Sequence, residues 1–175
     1  PIIGYMGTIN STRLDGELLY QIISQRPDYS FVFTGPEDDG FRQHRIHSLK
    51  NAYFTGQKKV DELPAYITAY DVCINPQMVN DITDGNYPLK IDEYLAMGKP
   101  TVATSTHTMR HIFADHTHLA TNPEEWLSAI DRAVTEADDK ELAKQRIAFA
   151  ETHSWGHSVK KIYGIIDNFL KEKAT

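Results

Sequence analysis

The stretch from Asp84 to Val102, reading DGNYPLKIDEYLAMGKPTV, leaves few folds open to this chain. Pro88 suits a first helical position, since its missing N–H has no intrahelical partner there and its φ is already helical. A helix is therefore predicted from Pro88 with Tyr87 as its N-cap, and Ile91, Tyr94 and Leu95 give it an apolar stripe at i, i+3, i+4. Gly98 is a fitting C′ stop, Pro100 follows, and the β-branched pair Thr101-Val102 opens a strand.

The start of this helix is suited to an anion. Tyr87 has no side-chain oxygen placed to accept from the first-turn amides, so the N–H groups of Leu89 and Lys90 are expected to be free. A cation in the first turn has the wrong sign for the helix dipole, and Lys90 makes sense if a phosphate sits at that end. Glu93 lies one turn from Leu89 on the flank that looks back toward the helix start, where a carboxylate could accept from the vicinal hydroxyls of a sugar.

The remainder alternates strand and helix patterns, which predicts an α/β fold: a Rossmann-like three-layer sandwich with a central parallel sheet of about six strands and a helical C-terminal segment. Strands are expected at 1–9, 29–34, 52–55, 72–75, 101–104 and 119–120. Helices are expected at 15–25, 60–70 and 109–113, from Asn122 onward, at 140–152 and at 158–172, the last burying Val159, Ile162, Ile166, Phe169 and Leu170. At 175 residues this is one domain, residues 1–175, with a sizeable core. Open sheets of this kind bind ligands at the carboxyl ends of their strands, here the loops 7–13, 56–59 and 76–87.

Composition removes several classes. A net charge of −6 without a basic cluster argues against a nucleic-acid partner. No apolar run approaches the roughly 20 residues needed to cross a bilayer, and no basic-then-apolar leader opens the sequence, so the expectation is a cytoplasmic domain. The single Cys73, inside Val72-Cys73-Ile74, reads as a small core side chain. His107 and His111 are spaced i, i+4, as are His153 and His157, but neither pair has a third ligand in a recognisable pattern, and no metal is expected. Asp81, Asp84 and Asp92 read as solvated acids. The spacings G-x-G-x-x-G and G-x-x-x-x-G-K-[ST] are both absent.

The segment Glu93-Tyr94-Leu95-Ala96-Met97-Gly98-Lys99-Pro100-Thr101-Val102 closely resembles the nucleotide-binding motif of retaining GT-B glycosyltransferases. Further likeness runs through Gly4-Tyr5-Met6-Gly7, Phe54-Thr55-Gly56, Asp71-Val72 and His153-Ser154-Trp155, where Trp155 is expected to anchor the last helices. The resemblance implies the C-terminal, donor-binding domain of such an enzyme, whose partner domain would hold the acceptor glycan or lipid and could bring the whole to the inner membrane as a peripheral protein. It implies that a nucleoside diphosphate sugar binds as substrate with no cofactor and no metal. Glu93 would then accept from the ribose hydroxyls, Leu89 and Lys90 would meet the phosphates, Gly7 would line them, and Lys58 would contact the base through its main chain.

This chain departs from the pattern at three positions. Gly85 stands where the family usually carries a second Glu, near the transferred sugar, with Asp84 adjacent. Thr8 and Leu14 stand where an Arg and a Lys commonly neutralise the diphosphate, and Arg13 is the neighbouring cation that could replace them. These departures keep two other readings open, a non-catalytic Rossmann-like binding module and a sugar-nucleotide epimerase-like domain.

Overall fold

The computed structural model describes residues 1–81 and 83–173. One sheet of six parallel strands runs through its centre: β1 (Ile2–Met6), β2 (Ser30–Thr34), β3 (Ala52–Gly56), β4 (Val72–Asn75), β5 (Thr101–Thr104) and β6 (His118–Ala120), in the order β3-β2-β1-β4-β5-β6. The helices are α1 (Gly16–Ser24), the single turn α2 (Asp39–Arg42), α3 (Leu63–Ala69), α4 (Leu89–Ala96), α5 (Pro123–Thr135), α6 (Lys140–Thr152) and α7 (Trp155–Lys173). This is the Rossmann-like sandwich the alternating pattern predicts, and its strand order reverses between β1 and β4.

Two cores follow from the period-two alternation of the strands. Ile3, Tyr5, Phe31, Phe33, Val72, Ile74 and Val102 pack with Leu19, Ile22 and Ile23 of α1 and Trp126 and Ile130 of α5. Met6, Cys73 and Ala103 point the other way, onto Ile67 of α3 and Ile91, Tyr94 and Leu95 of α4. Gly4 faces that second core because Tyr70 lies across it: an added Cβ would come 2.0 Å from the ring. The Tyr70 hydroxyl is then 2.6 Å from Thr34 Oγ1, which ties this layer to β2.

Three expectations need correction. The first strand ends at Met6 and not at Ile9, because Gly7 adopts a φ of +133° that turns the chain out of the sheet. Helix α4 begins at Leu89, one residue later than predicted, with Pro88 rather than Tyr87 as N-cap. The apolar residues Val159, Ile162, Ile166, Phe169 and Leu170 of α7 are exposed rather than buried, and Trp155 is 81% exposed, so it anchors nothing here. An apolar stripe shows that a helix face needs cover, and none of the described residues supplies it.

His153, by contrast, docks as expected. Its ring packs 4.5 Å from that of Phe149, and its Nδ1 lies 2.9 Å from Asp92 Oδ1. Farther along the same layer, buried Arg146 of α6 pairs with Glu136, whose second oxygen is 3.0 Å from His118 Nε2, joining α6 to β6. Among the described residues no helix is long and apolar enough to cross a membrane.

Candidate functional site

The loops that follow β1 and β4 are stitched together at the switch point. The Asp15 N–H donates to Pro76 O at 3.0 Å and the Met78 N–H to Arg13 O at 2.8 Å, on either side of a bridge between Leu14 and Gln77. Between these loops and the start of α4 lies a crevice of about 540 Å³, whose walls include Tyr5, Gly7, Thr8, Arg13, Tyr87, Leu89 and Lys90. Ile82, in the loop after β4, lies outside the described residues.

Lys90 is the dominant electrostatic feature of this crevice. Its ammonium donates to Tyr5 Oη at 2.6 Å and sits 4.1 Å above the centroid of the same ring, while Tyr5 Oη donates to Thr8 O at 3.0 Å. No carboxylate pairs with it among the described residues. Burial lowers its pKa to about 8; Glu93 opposes that shift and the nearby Arg13 adds to it. Two cations facing one crevice without an ion-pair partner give it a positive potential that suits an anion.

Gly7 makes room for this cation. Its backbone has a positive φ, and an added Cβ would lie 2.9 Å from Lys90 Nζ. Burial also pushes the Tyr5 hydroxyl far above its ordinary range, so it remains a neutral partner for the ammonium.

Helix α4 is held rigidly over the end of β1. Buried Tyr94 accepts at Oη from the Met6 N–H at 2.8 Å, which fixes Lys90, one turn earlier, above Tyr5. The first turn is tied down from the other side, where Tyr87 Oη donates to Asp92 Oδ2 at 2.6 Å and Asp92 also meets His153. Asp92 is thus a structural acceptor and not a merely solvated acid. Asp84 is held as well, its Oδ1 accepting from the His107 N–H at 2.8 Å. No side chain caps the start of α4.

The structure brings Gly7, Thr8, Arg13, Leu89 and Lys90 to one crevice and leaves three expected residues off its walls. Glu93 is exposed on the next turn of α4, close enough to Lys90 that each shifts the other's titration. Partial desolvation raises its pKa, with Lys90 pulling the other way. Lys58 follows β3, two strands away from β1, with its ammonium 5.5 Å above the Tyr66 ring. Gly85 is exposed, and nothing lies within 4 Å of where its Cβ would be. Tyr5 is the residue that reading the sequence missed: alternation turns its ring toward the core, but nothing local reveals that its hydroxyl meets Lys90. Among the described residues no group of three or more His, Cys, Asp or Glu side chains could hold a metal ion; the rings of His107 and His111 pack on each other at 4.2 Å.

A parallel sheet with its crevice at the switch point, under a helix whose start has no side-chain cap, is a Rossmann-like domain. The family model for glycosyl transferases group 1 matches residues 1–136, and the chain belongs to that family. It is 27% identical over 168 residues to the "Putative teichuronic acid biosynthesis glycosyltransferase TuaH" of Bacillus subtilis (strain 168), covering 92% of this chain and 42% of that protein. This chain therefore spans less than half the length of that relative.

Solved structures of the same fold include sucrose-phosphate synthase from Thermosynechococcus elongatus, with a TM-score of 0.76 at 19% identity, over 98% of this chain and 46% of that one. Anabaena Alr3699/HepE in complex with UDP superposes with a TM-score of 0.75 at 15% identity, over 95% of this chain and 48% of that one.

Proposed function

We propose that this chain is the donor-binding half of a two-domain retaining glycosyltransferase and that it holds a nucleoside diphosphate sugar in the crevice between the ends of β1 and β4. The observation that carries this reading is the Lys90 ammonium, held on Tyr5 without a carboxylate and beside Arg13. A diphosphate supplies the charge such a site lacks, and it is also the leaving group on which negative charge grows as the glycosidic bond breaks. Cations fixed in advance stabilise that charge at the transition state. The Leu89 and Lys90 amides at the uncapped helix start act in the same direction.

Glu93, one turn along the helix, accepts from the ribose hydroxyls in this reading. Gly7 lets the main chain approach the phosphates, Thr8 and Arg13 line their other side, and Lys58 meets the base through its backbone. In this reading a partner domain holds the acceptor, a glycan or lipid-linked glycan. The solved complex of Anabaena Alr3699/HepE with UDP supports a uridine nucleotide as the first donor to try.

Thermal-shift measurements with UDP, GDP, ADP and their sugars, on this chain and on Glu93→Ala, test the reading. Saturation at 100 times the dissociation constant stabilises by about 2.7 kcal/mol, a rise of several degrees for a domain of this size. The expected result is a shift with one nucleotide that shrinks in Glu93→Ala while the unliganded melting temperature stays the same. Equal shifts in both proteins would remove Glu93 from the site, and no shift with any nucleotide would favour a non-catalytic module.

A further inference from the structure

The two cations of the crevice are held in different ways. Lys90 rests on Tyr5, but the Arg13 guanidinium has no hydrogen-bond or ion-pair partner among the described residues, so its reach is set by the main chain that carries it. That main chain is a short arch between two buried anchors, Ile9 at 0% and Leu14 at 2% exposed. Within it Asn10 O accepts from the N–H groups of Arg13 at 3.1 Å and Leu14 at 2.9 Å, while Asn10 Oδ1 accepts from the Thr12 N–H at 2.9 Å. These local bonds give the arch its shape but not its place. On the β4 side its place is fixed by the Met78 N–H, which donates to Arg13 O.

On the β2 side the tie is Asp38, 27 residues from Ser11 and the N-cap of α2. Its Oδ2 accepts from both the N–H and the Oγ of Ser11, at 2.8 and 2.7 Å, and its Oδ1 accepts from the Phe41 N–H at 2.8 Å. The main chains run together beside it, the Ile9 N–H donating to Pro36 O at 2.8 Å and the Asp38 N–H to Ile9 O at 3.0 Å. Desolvation acts to raise the pKa of Asp38, but the bonds from Phe41 and Ser11 outweigh it and hold the carboxyl below its usual range. Gly40 leaves room for the contact, since an added Cβ there would come 2.7 Å from Ser11 Oγ. Asp38 itself is not among the walls of the crevice.

We propose that Asp38 is a positioning residue for the diphosphate: through Ser11 it fixes the arch of residues 10–13 and so presents Arg13 to the crevice. This deepens the reading of the crevice as a diphosphate site and rests on it. A carboxylate near an anion site repels the anion through space, so charge alone would make the loss of Asp38 favour binding. Positioning predicts the opposite sign, because an arch that is only part of the time in place lowers the apparent affinity by that fraction.

Asp38→Asn separates the two. The asparagine oxygen still caps α2, and its amide nitrogen cannot accept from Ser11. Calorimetric titration of the whole chain with UDP, GDP and ADP should show the nucleotide that the parent binds weakened about 3- to 10-fold, at a melting temperature within a few degrees of the parent's. Arg13→Gln should weaken it too, and Asp38→Asn added to Arg13→Gln should weaken it no further. A general loosening of the crevice would instead weaken binding in both backgrounds. Gly40→Ala keeps the carboxylate and crowds Ser11, and it should weaken the nucleotide as Asp38→Asn does.

Unchanged or tighter binding by Asp38→Asn would overturn the proposal, and so would an equal loss in the Arg13→Gln background. If the parent binds none of the three nucleotides, the diphosphate reading falls and the proposal with it. A parent that binds one of them no better than Asp38→Asn does removes Asp38 alone.

Discussion

Replacing Lys90 by Met should make the unliganded protein more stable and the nucleotide complex weaker. The ammonium's pKa falls from 10.5 to about 8 on burial, which corresponds to about 3 kcal/mol of cost for keeping it charged in the folded state. Methionine fills much the same volume without that cost. The charged hydrogen bond to Tyr5 offsets about half of it. The net gain is roughly 1–2 kcal/mol, or about 2–8 °C in melting temperature. Tyr5 keeps its own donation to Thr8 O, so the substitution leaves no buried donor unpaired.

If a diphosphate binds as proposed, the same substitution removes a charged bond to phosphate, of about 1.5–3 kcal/mol, and should weaken nucleoside diphosphate binding roughly 10- to 150-fold. The pH dependence gives a second handle. Because the folded pKa lies below the unfolded one, the folded protein binds fewer protons between about pH 8 and 10.5, and the stability of the unliganded protein should rise with pH across that window. Below about pH 8 the cost is fully present.

The ligand prefers the charged lysine, so affinity should be flat below about pH 8 and fall as pH rises through it. Lys90→Met should abolish this profile, and Lys90→Arg, charged throughout, should flatten it. Calorimetric melting with nucleotide titration at several pH values reads all three effects. A Lys90→Met protein that melts lower than the parent and binds the nucleotide as tightly would refute the reasoning.

Two further outcomes follow from the same geometry. Gly7→Ala should lower the melting temperature by several degrees, since a backbone conformation reserved for glycine costs about 1–3 kcal/mol in another residue. It should also weaken nucleotide binding, because the new methyl displaces Lys90 Nζ; a melt and a titration within error of the parent would count against the tight Gly7–Lys90 approach. Cys73, whose thiol is pushed up far from its ordinary range by complete burial, should resist thiol reagents in the folded protein and react only at the rate of unfolding. Rapid labelling under native conditions would show that β4 is open to solvent.

How much of this was legible in the sequence depends on how local the cause was. The bounds of β4 and β5 appear as predicted, because Pro76 and Pro100 punctuate short buried runs. The C-terminal end of α4 was legible for a similar reason: Gly98 takes a φ of +71° as the stop. Its start slipped by one residue, since Tyr87 and Pro88 both lack a capping oxygen and local chemistry does not separate them. Burial of α7 was misread because helical periodicity identifies a face that needs cover but not the surface that covers it. Tyr5 and Gln77 were missed for a third reason. Each acts through partners far along the chain, Lys90 for one and the bridge to Leu14 for the other, and no local pattern encodes such meetings.

The departures from the family pattern also have a common physical basis. The chain lacks the cations that resemblance would place at Thr8 and Leu14, and it is acidic overall, yet the switch-point crevice is positive because Lys90 projects into it from the helix side. That arrangement has structural conditions. The ammonium needs Tyr94 to pin the helix to β1, Tyr5 as a neutral acceptor beneath it, and a glycine at position 7 where any Cβ would collide with it. A cation so placed is under-solvated until an anion arrives, so filling the crevice relieves a cost that the fold itself carries. Donor affinity and the stability of the β1–α4 junction are then linked through one side chain, and a substitution that strengthens the empty fold there should weaken the complex.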